Sequence, residues 1–287
     1  MTSVTRSEHP HIGSEKILVF VPMYNCAQQI ARVLRQFNEQ VQSYIAKIII
    51  IDNQSSDQGI EIAKLAAQKL RSIDVEILRN TQNFGLGGSH KVAFNYAIDH
   101  GFDYIIVLHG DDQGSITDII PLLDQQLHHA VDCLLGARFM RGSRLRGYSA
   151  FRTFGNRVFN LLYSAAAKKR LLDLGSGLNL YAVDALVDRS WLTFPDDLTF
   201  NYYMVLASAA KNWRMQFFAL TWREEDQRSN VKLFRQAWKV VAILWTFTIA
   251  RSRFLTADWR VDPDRTYTAT MVYAHVASRR DQAGELA

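Results

Sequence analysis

The sequence predicts an α/β protein built on a mostly parallel sheet with helices on both faces, and three observations carry that expectation. Residues 17–21 (ILVFV), 47–51 (KIIII) and 104–108 (YIIVL) are short, almost wholly apolar runs of the kind that form strands buried on both faces. Each run ends in a cluster of polar turn formers, and stretches with helical spacing lie between them. The chain has 287 residues, 48% apolar and 21% charged, which supplies core material for one large domain and excludes a disordered chain.

The elements follow in order. Residues 1–15 read as a flexible leader, 17–21 as the first strand and 28–37 as a helix. Residues 47–51 form the second strand, closed by Asp52, Asn53, Gln54, Ser55, Ser56 and Asp57. A helix over 60–70, a third strand over 75–78, a glycine-rich loop over 83–89 and a helix over 91–100 come next. The fourth strand, 104–108, ends in His109-Gly110-Asp111-Asp112, before a helix over 116–127 and a fifth strand over 132–135. In such sheets the ligand crevice lies beyond the carboxyl ends of the strands, so the loops after Val21, Ile51 and Leu108 should share it. From residue 138 the alternation stops. A helix over 156–169, a small-residue turn over 173–177, a helix over 200–211, a strand over 214–221 and a last helix over 231–250 complete the reading. The expected organisation is a leader (1–15), an α/β domain (16–227) and a C-terminal amphipathic helix with a tail (228–287).

The net charge of +5 hides a polarised chain. Residues 138–170 carry nine cations and no acid, and residues 228–260 carry seven cations and one acid, leaving the remainder at −10. Two basic patches on an acidic body attract phosphates on nucleotides, lipids or nucleic acid. Two cysteines, Cys26 and Cys133, make no disulfide framework and point to a reducing cytosol. The N-terminus has no apolar core of a signal peptide. The longest uncharged, mainly apolar run (240–250) falls short of the ~20 residues that a bilayer span requires.

The loop after the fourth strand is the strongest chemical signal. His109, Asp111 and Gln113 share parity in an extended segment, and imidazole with oxygen donors suits Mn²⁺ or Mg²⁺ bridging to a diphosphate. The alternative is a polar turn, with Asp112 or Ser115 capping the next helix. Asp52, Asn53, Ser55 and Asp57 can pair with a base edge or ribose hydroxyls, or form a turn with Asp57 as a cap. Gly85 and Gly87 lie in a loop that either approaches a ligand through its backbone or is simply flexible. A dinucleotide fingerprint starting at Gly85 fails at His90 and follows the wrong strand. His90, His128 and His129 read as surface or packing residues, and Cys26 as a half-buried thiol.

Six stretches in this order carry a resemblance: VPMYN (21–25), IIDNQSSD (50–57), NFGLGGS (83–89), LHGDDQ (108–113), GAR (136–138) and DLGSG (173–177). Together they resemble the inverting family-2 glycosyltransferases with a GT-A fold, in the branch of dolichol-phosphate mannosyltransferase and bactoprenol glucosyltransferase. The resemblance implies that the first-strand motif and the second-strand loop hold the nucleotide, with Pro22 and Tyr24 packing against base and ribose, Asp52 and Asn53 contacting the base edge, and Asn25 and Ser55 as further substrate-binding candidates. Where the family commonly has two consecutive Asp, this chain has Asp52 and Asn53. The family's Asp-x-Asp falls on His109 and Asp111, with Gln113 beyond, so His109 would ligate the metal. Asp112 and the glycines Gly85 and Gly87 become substrate-binding candidates. Arg138 matches a phosphate-contacting Arg, and Ser176 and Gly177 match a turn near sugar and acceptor. Asn179, Asn201 and Tyr203 depart from the family's residues.

The implied reaction is metal-assisted displacement at the anomeric carbon of a nucleotide-diphosphate sugar, with Asp111 and Arg138 stabilising the departing diphosphate. A hydroxyl acceptor requires a base, for which Asp197, or Asp196 beside it, is the candidate unless it only caps the following helix. A polyprenyl phosphate acceptor needs little deprotonation. Arg141, Arg144, Arg146 and Arg152 could grip a phosphate. On the last helix Lys232, Arg235 and Lys239 share one face and Phe234, Trp238, Val241 and Trp245 another, with Lys232 a further substrate-binding candidate. Residues 231–255 thus suit a membrane surface, or alternatively a homo-oligomer contact. The expectation is a cytoplasmic enzyme, peripheral on the inner membrane face, transferring to polyprenyl phosphate. The alternatives are a soluble hydroxyl acceptor or a non-catalytic nucleotide-sugar-binding module, and nucleic acid is the minor reading of the basic patches.

Overall fold

The computed structural model of the chain describes residues 15–225 and 233–278. Its first half alternates β1 (Ile17–Met23), α1 (Ala27–Arg35), α2 (Glu39–Gln42), β2 (Lys47–Asp52), α3 (Gly59–Ala67), β3 (Asp74–Asn80), α4 (Gly85–Asp99) and β4 (Tyr104–Leu108). The rest comprises α5 (Ile120–Asp124), β5 (Cys133–Ala137), β6 (Arg144–Arg146), α6 (Ala150–Ala167), β7 (Leu178–Ala182), α7 (Phe200–Ala210), β8 (Met215–Ala219), β9 (Thr221–Arg223), α8 (Leu233–Ile249), α9 (Arg251–Thr256) and β10 (Ala269–His275). Eight strands make one sheet in the order β10-β3-β2-β1-β4-β7-β5-β8, and β6 pairs with β9 alongside it.

Strands β3, β2, β1 and β4 run parallel, with Val19 opposite Ile48 and Ile106. Successive side chains of each strand enter opposite cores. Leu18, Phe20, Ile49 and Ile51 pack with α4 and α7, while Val19, Val21, Ile48 and Ile50 pack against α1 and α3. This two-sided burial is why these strands are apolar throughout.

Three differences from expectation matter for the site. The glycine-rich segment is the first turn of α4, which begins at Gly85. Strand β7 runs antiparallel between β4 and β5, placing the 173–177 turn beside the loop after β4. The C-terminal segment is an integral part of the fold: β10 pairs antiparallel with β3, and Tyr267 and Arg265 reach a buried ion cluster around Lys91. The expected helix over 116–127 is broken into a 3₁₀ turn and the short α5, with Pro121 in its first turn. No helix among the described residues is long and apolar enough to cross a membrane.

Candidate active site

The carboxyl ends of β1, β2 and β4 do share one rim, and hydrogen bonds lace their loops together. Asn25, in the left-handed region, donates its N–H to Ser55 Oγ (2.9 Å) and accepts from the Ser56 N–H (2.9 Å). Asp57 accepts from the Ala27 and Gly59 N–H groups, the first residues of α1 and α3, although the N-cap position of α3 is Gln58 and that of α1 is Cys26. The Gly110 N–H donates to the Pro22 carbonyl (3.1 Å), and a Cβ at Gly110 would lie 2.7 Å from that oxygen.

Within the second loop the expected ligand contacts are mostly committed internally. Asp52 is buried; it accepts from the Ser55 N–H and pairs with Arg79 at 3.3 Å. Asn53 Oδ1 accepts from the Phe84 N–H (2.8 Å) and Asn80 Nδ2 (2.9 Å), while its Nδ2 donates to Asn83 Oδ1 (2.9 Å). Its amide therefore ties β2 to the start of α4 and is not presented to a base edge. The pairing also gives a reason for Asn here: aspartate would bring a second acceptor against Asn83 Oδ1. Pro22 is buried in β1, and Tyr24 is the half-exposed ring on this rim.

The glycines Gly85 and Gly87 make their close approach to protein. A Cβ on Gly85 would strike the Asp196 carbonyl, one on Gly87 the Pro195 carbonyl, and the Gly87 N–H donates to Asp196 O at 2.7 Å. They seat the 195–197 segment on α4, and Gly85 also lines the cavity beside Asp197.

The loop after β4 is a turn, with Asp112 at φ +60°, so the shared parity of His109, Asp111 and Gln113 does not apply. Asp112 points into the body, where its carboxylate accepts from Arg32 Nε (2.7 Å), Gln36 Nε2 (3.0 Å) and Arg223 Nη2. Through these partners it shapes the loop. Arg32, Gln36 and Arg223 escaped the sequence reading, although the four-residue spacing of the first two puts them on one face of α1. Gln113 holds the turn through its backbone, donating to Asp111 Oδ1 (3.2 Å) and accepting from the Arg223 N–H.

His109 packs its ring over Gly177, where a Cβ would lie 2.8 Å from Cγ, and edge-on to His90. Burial, with the Arg138 charge beside it, pushes its pKa down to about 4, and its shielded Nε2 has no hydrogen-bond partner. Burial pushes Asp111 up to about 6. A neutral imidazole nitrogen and a carboxylate that a cation would relieve have the donor chemistry a divalent ion requires. They belong to no compact trio, however: among the described residues the one such group of His, Cys, Asp or Glu is elsewhere, at Glu15, His128 and His129.

Arg138 is fixed. Its Nε and Nη2 donate to Asp173 at 2.8 and 2.9 Å, and its guanidinium lies 4.9 Å from the Trp222 ring centre. Asp173 also accepts from the Arg138 and Gly175 N–H groups. Ser176 is buried against Asn179, whose Oδ1 also accepts from the Gly136 N–H, so Asn179 joins turn to sheet. Gly177 makes room for His109 and accepts its N–H through the carbonyl. Asp196 is buried with Lys91 (2.7 Å), Arg265 (3.0 Å) and Tyr267 (2.6 Å). Asp197 is paired with Lys239 and accepts from Thr199. Although burial pushes its carboxyl up, those partners hold it below the usual carboxylate value. Lys232 lies outside the described residues, as does the side chain of Arg235.

Residues 18–189 match the family model Glycosyl transferase family 2. The chain is a family-2 glycosyltransferase. Its curated relatives include the undecaprenyl-phosphate mannosyltransferase of Micrococcus luteus, 21% identical over 64% of this chain and 76% of that protein. They also include the dolichol-phosphate mannosyltransferase of Pyrococcus furiosus, 23% identical over 48% of this chain and 37% of that protein. A Salmonella choleraesuis undecaprenyl-phosphate 4-deoxy-4-formamido-L-arabinose transferase is 27% identical over 58% and 49%. Thus the match covers about half or less of the last two relatives. Among solved structures, Mycobacterium tuberculosis glucosyl-3-phosphoglycerate synthase with Mn²⁺, UDP and glucosyl-3-phosphoglycerate superposes with a TM-score of 0.57 at 13% identity, over 91% of this chain and 90% of that one. Staphylococcus aureus TarS with UDP-GlcNAc gives 0.53 at 17% identity, over 84% and 70%. These likenesses show the fold, which is GT-A.

Proposed function

We propose that this glycosyltransferase moves a sugar from a nucleotide-diphosphate donor to a polyprenyl phosphate held at a membrane surface. The observation that carries the acceptor class is the state of Asp197. A carboxylate paired with Lys239 and held below its usual pKa is a poor general base. A hydroxyl acceptor requires such a base; a phosphate acceptor is already ionised. The names of the relatives, all polyprenyl-phosphate transferases, agree.

The donor would lie along the rim formed by Tyr24, the Asn25–Ser55 lacing and Asp111. Mn²⁺ or Mg²⁺ held by Asp111, with His109 beside it, would neutralise charge on the leaving diphosphate. Arg138, rigid in its pairing with Asp173, keeps a positive charge at the same end. The acceptor would approach from the side of α8. There a cavity of about 440 Å³ lies between Phe84, Asp197, Tyr203, Lys239 and Trp259.

Membrane contact is supported by two amphipathic helices. On α8, Trp238, Val241, Trp245 and Ile249 are exposed while Val240, Ile243 and Phe247 are buried. On α6, Phe151, Phe154, Val158 and Leu161 are exposed at the same helical spacing. The helices are joined by a hydrogen bond from Tyr163 to the Val240 carbonyl (2.5 Å). Aromatic stripes with arginines and lysines at hand suit an anionic interface. These faces support a peripheral enzyme working at the cytoplasmic side of the membrane.

The experiment incubates the full chain with a panel of nucleotide sugars, Mn²⁺ and anionic vesicles with or without undecaprenyl phosphate. Lipid-linked sugar should form only with the polyprenyl phosphate and cease with chelator. Transfer to soluble hydroxyl acceptors with an Asp197→Asn loss of about 10²-fold or more would overturn the acceptor reading.

A further inference from the structure

At the far end of the sheet from the crevice, three side chains from distant parts of the sequence meet. Glu15 lies two residues before the start of β1, and His128 and His129 sit in the 3₁₀ turn Leu127–Ala130 that leads into β5. His128 Nε2 lies 3.0 Å from Glu15 Oε2, and His129 Nε2 faces Oε1. The three ligand atoms all lie within 4.8 Å of one another. Tyr104, the first residue of β4, packs edge-on to His128 with ring centres 4.9 Å apart.

We propose that Glu15, His128 and His129 form a second divalent-cation site, of the zinc class, that clips the start of β1 to the entry of β5. Two imidazole nitrogens and one carboxylate form a recognised zinc donor set, with the fourth position left to water. Ligands about 2.0–2.1 Å from a tetrahedral zinc stand roughly 3.3 Å apart, close to the Nε2–Oε2 separation found here. His128 is buried while Glu15 and His129 remain partly exposed, which leaves a way in for the ion. The packing role expected for both histidines therefore covers only part of what they do. Lying at the amino ends of β1 and β4, the site is separate from the Asp111 loop, and its role is to tether rather than to react.

The test is zinc binding by the chelator-treated full chain, followed by calorimetry, by the d–d spectrum of Co²⁺ in its place, and by thermal unfolding. Besides an ion held at Asp111, one ion per chain should bind with a tetrahedral Co²⁺ spectrum and raise Tm. Glu15→Gln and His129→Gln should each weaken binding about tenfold or more and abolish the Tm gain, whereas Asp111→Asn should keep both. His129 is chosen because it is partly exposed, so its loss leaves the fold intact. Binding that survives both substitutions unchanged, that is lost in Asp111→Asn, or that is absent from the wild type, overturns the proposal and leaves a carboxylate accepting from two imidazoles.

Discussion

Asp112→Asn is the substitution that best separates shaping the metal loop from contacting substrate. Asp112 is 1% exposed, but Arg32 and Arg223 are 35% and 40% exposed. Breaking a buried ion pair costs about 3–5 kcal/mol, and exposed pairs are worth at most about 1 kcal/mol. With one partner buried and two half-solvated, about 2 kcal/mol is expected. In a chain of this length that lowers Tm by about 4 °C. Asparagine tolerates the φ of +60°, so the change removes the charge and one of the two acceptor oxygens without backbone strain, and Asp112→Ala adds about 1 kcal/mol for the backbone. The loss of activity should exceed the loss of stability. Arg32, Gln36 and Arg223 fix the residue next to Asp111, and a displacement of about 1 Å at a catalytic centre can cost ~10²-fold. Urea unfolding and kcat/KM with saturating Mn²⁺ measure the two effects. An Asp112→Asn protein whose Tm is unchanged, or whose KM for donor rises with kcat and Tm intact, would refute the clamp.

Further outcomes are expected. Gly177→Ala sets a methyl against the His109 ring and should cost about 1–3 kcal/mol by overpacking; in a double-mutant cycle with His109→Ala most of that cost should vanish, and simple additivity would contradict the contact. Trp238→Ala with Trp245→Ala should abolish flotation with anionic vesicles while changing stability by about 0.5 kcal/mol or less, since both rings are exposed; undiminished flotation would rule out α8 as the docking helix. Burial pushes His90 down to about 3, below the unfolded value of 6.5. The unfolded chain therefore binds the extra proton between these values, and stability should fall as pH drops below 6.5. At pH 5 the loss is about 2 kcal/mol, and His90→Phe should flatten that part of the profile in urea titrations at pH 5 and 7.

The sheet was legible where both faces of a strand are buried, because β1, β2 and β4 then have no polar positions to obscure them. Strand β10 was not: Met271 and Val272 are exposed, and its partner β3 is remote in sequence. The site was legible as a set of loops, since polar turn formers closing apolar strands mark the rim. Which way each side chain turns was not. Asp112 and Asn53 are claimed by Arg223 and Phe84 from other segments, and only the folded chain brings those donors within reach. Parity failed for His109 and Asp111 because residues 110–111 form a turn and are not extended.

The position of β10 also has a bearing on how the enzyme is made. Strand β3 obtains its outer neighbour from residues 269–275, so throughout most of synthesis the first half of the chain presents an unpaired strand edge. The same late segment delivers Arg265 and Tyr267 to the cluster around Lys91, a fully buried cation that has only part of its shell until then. The first half of the chain can therefore collapse early but cannot complete itself. Chains cut short of residue 269 should be sticky intermediates, and the long-range closure of β10 on β3 is the step on which chaperone dependence and folding yield should turn.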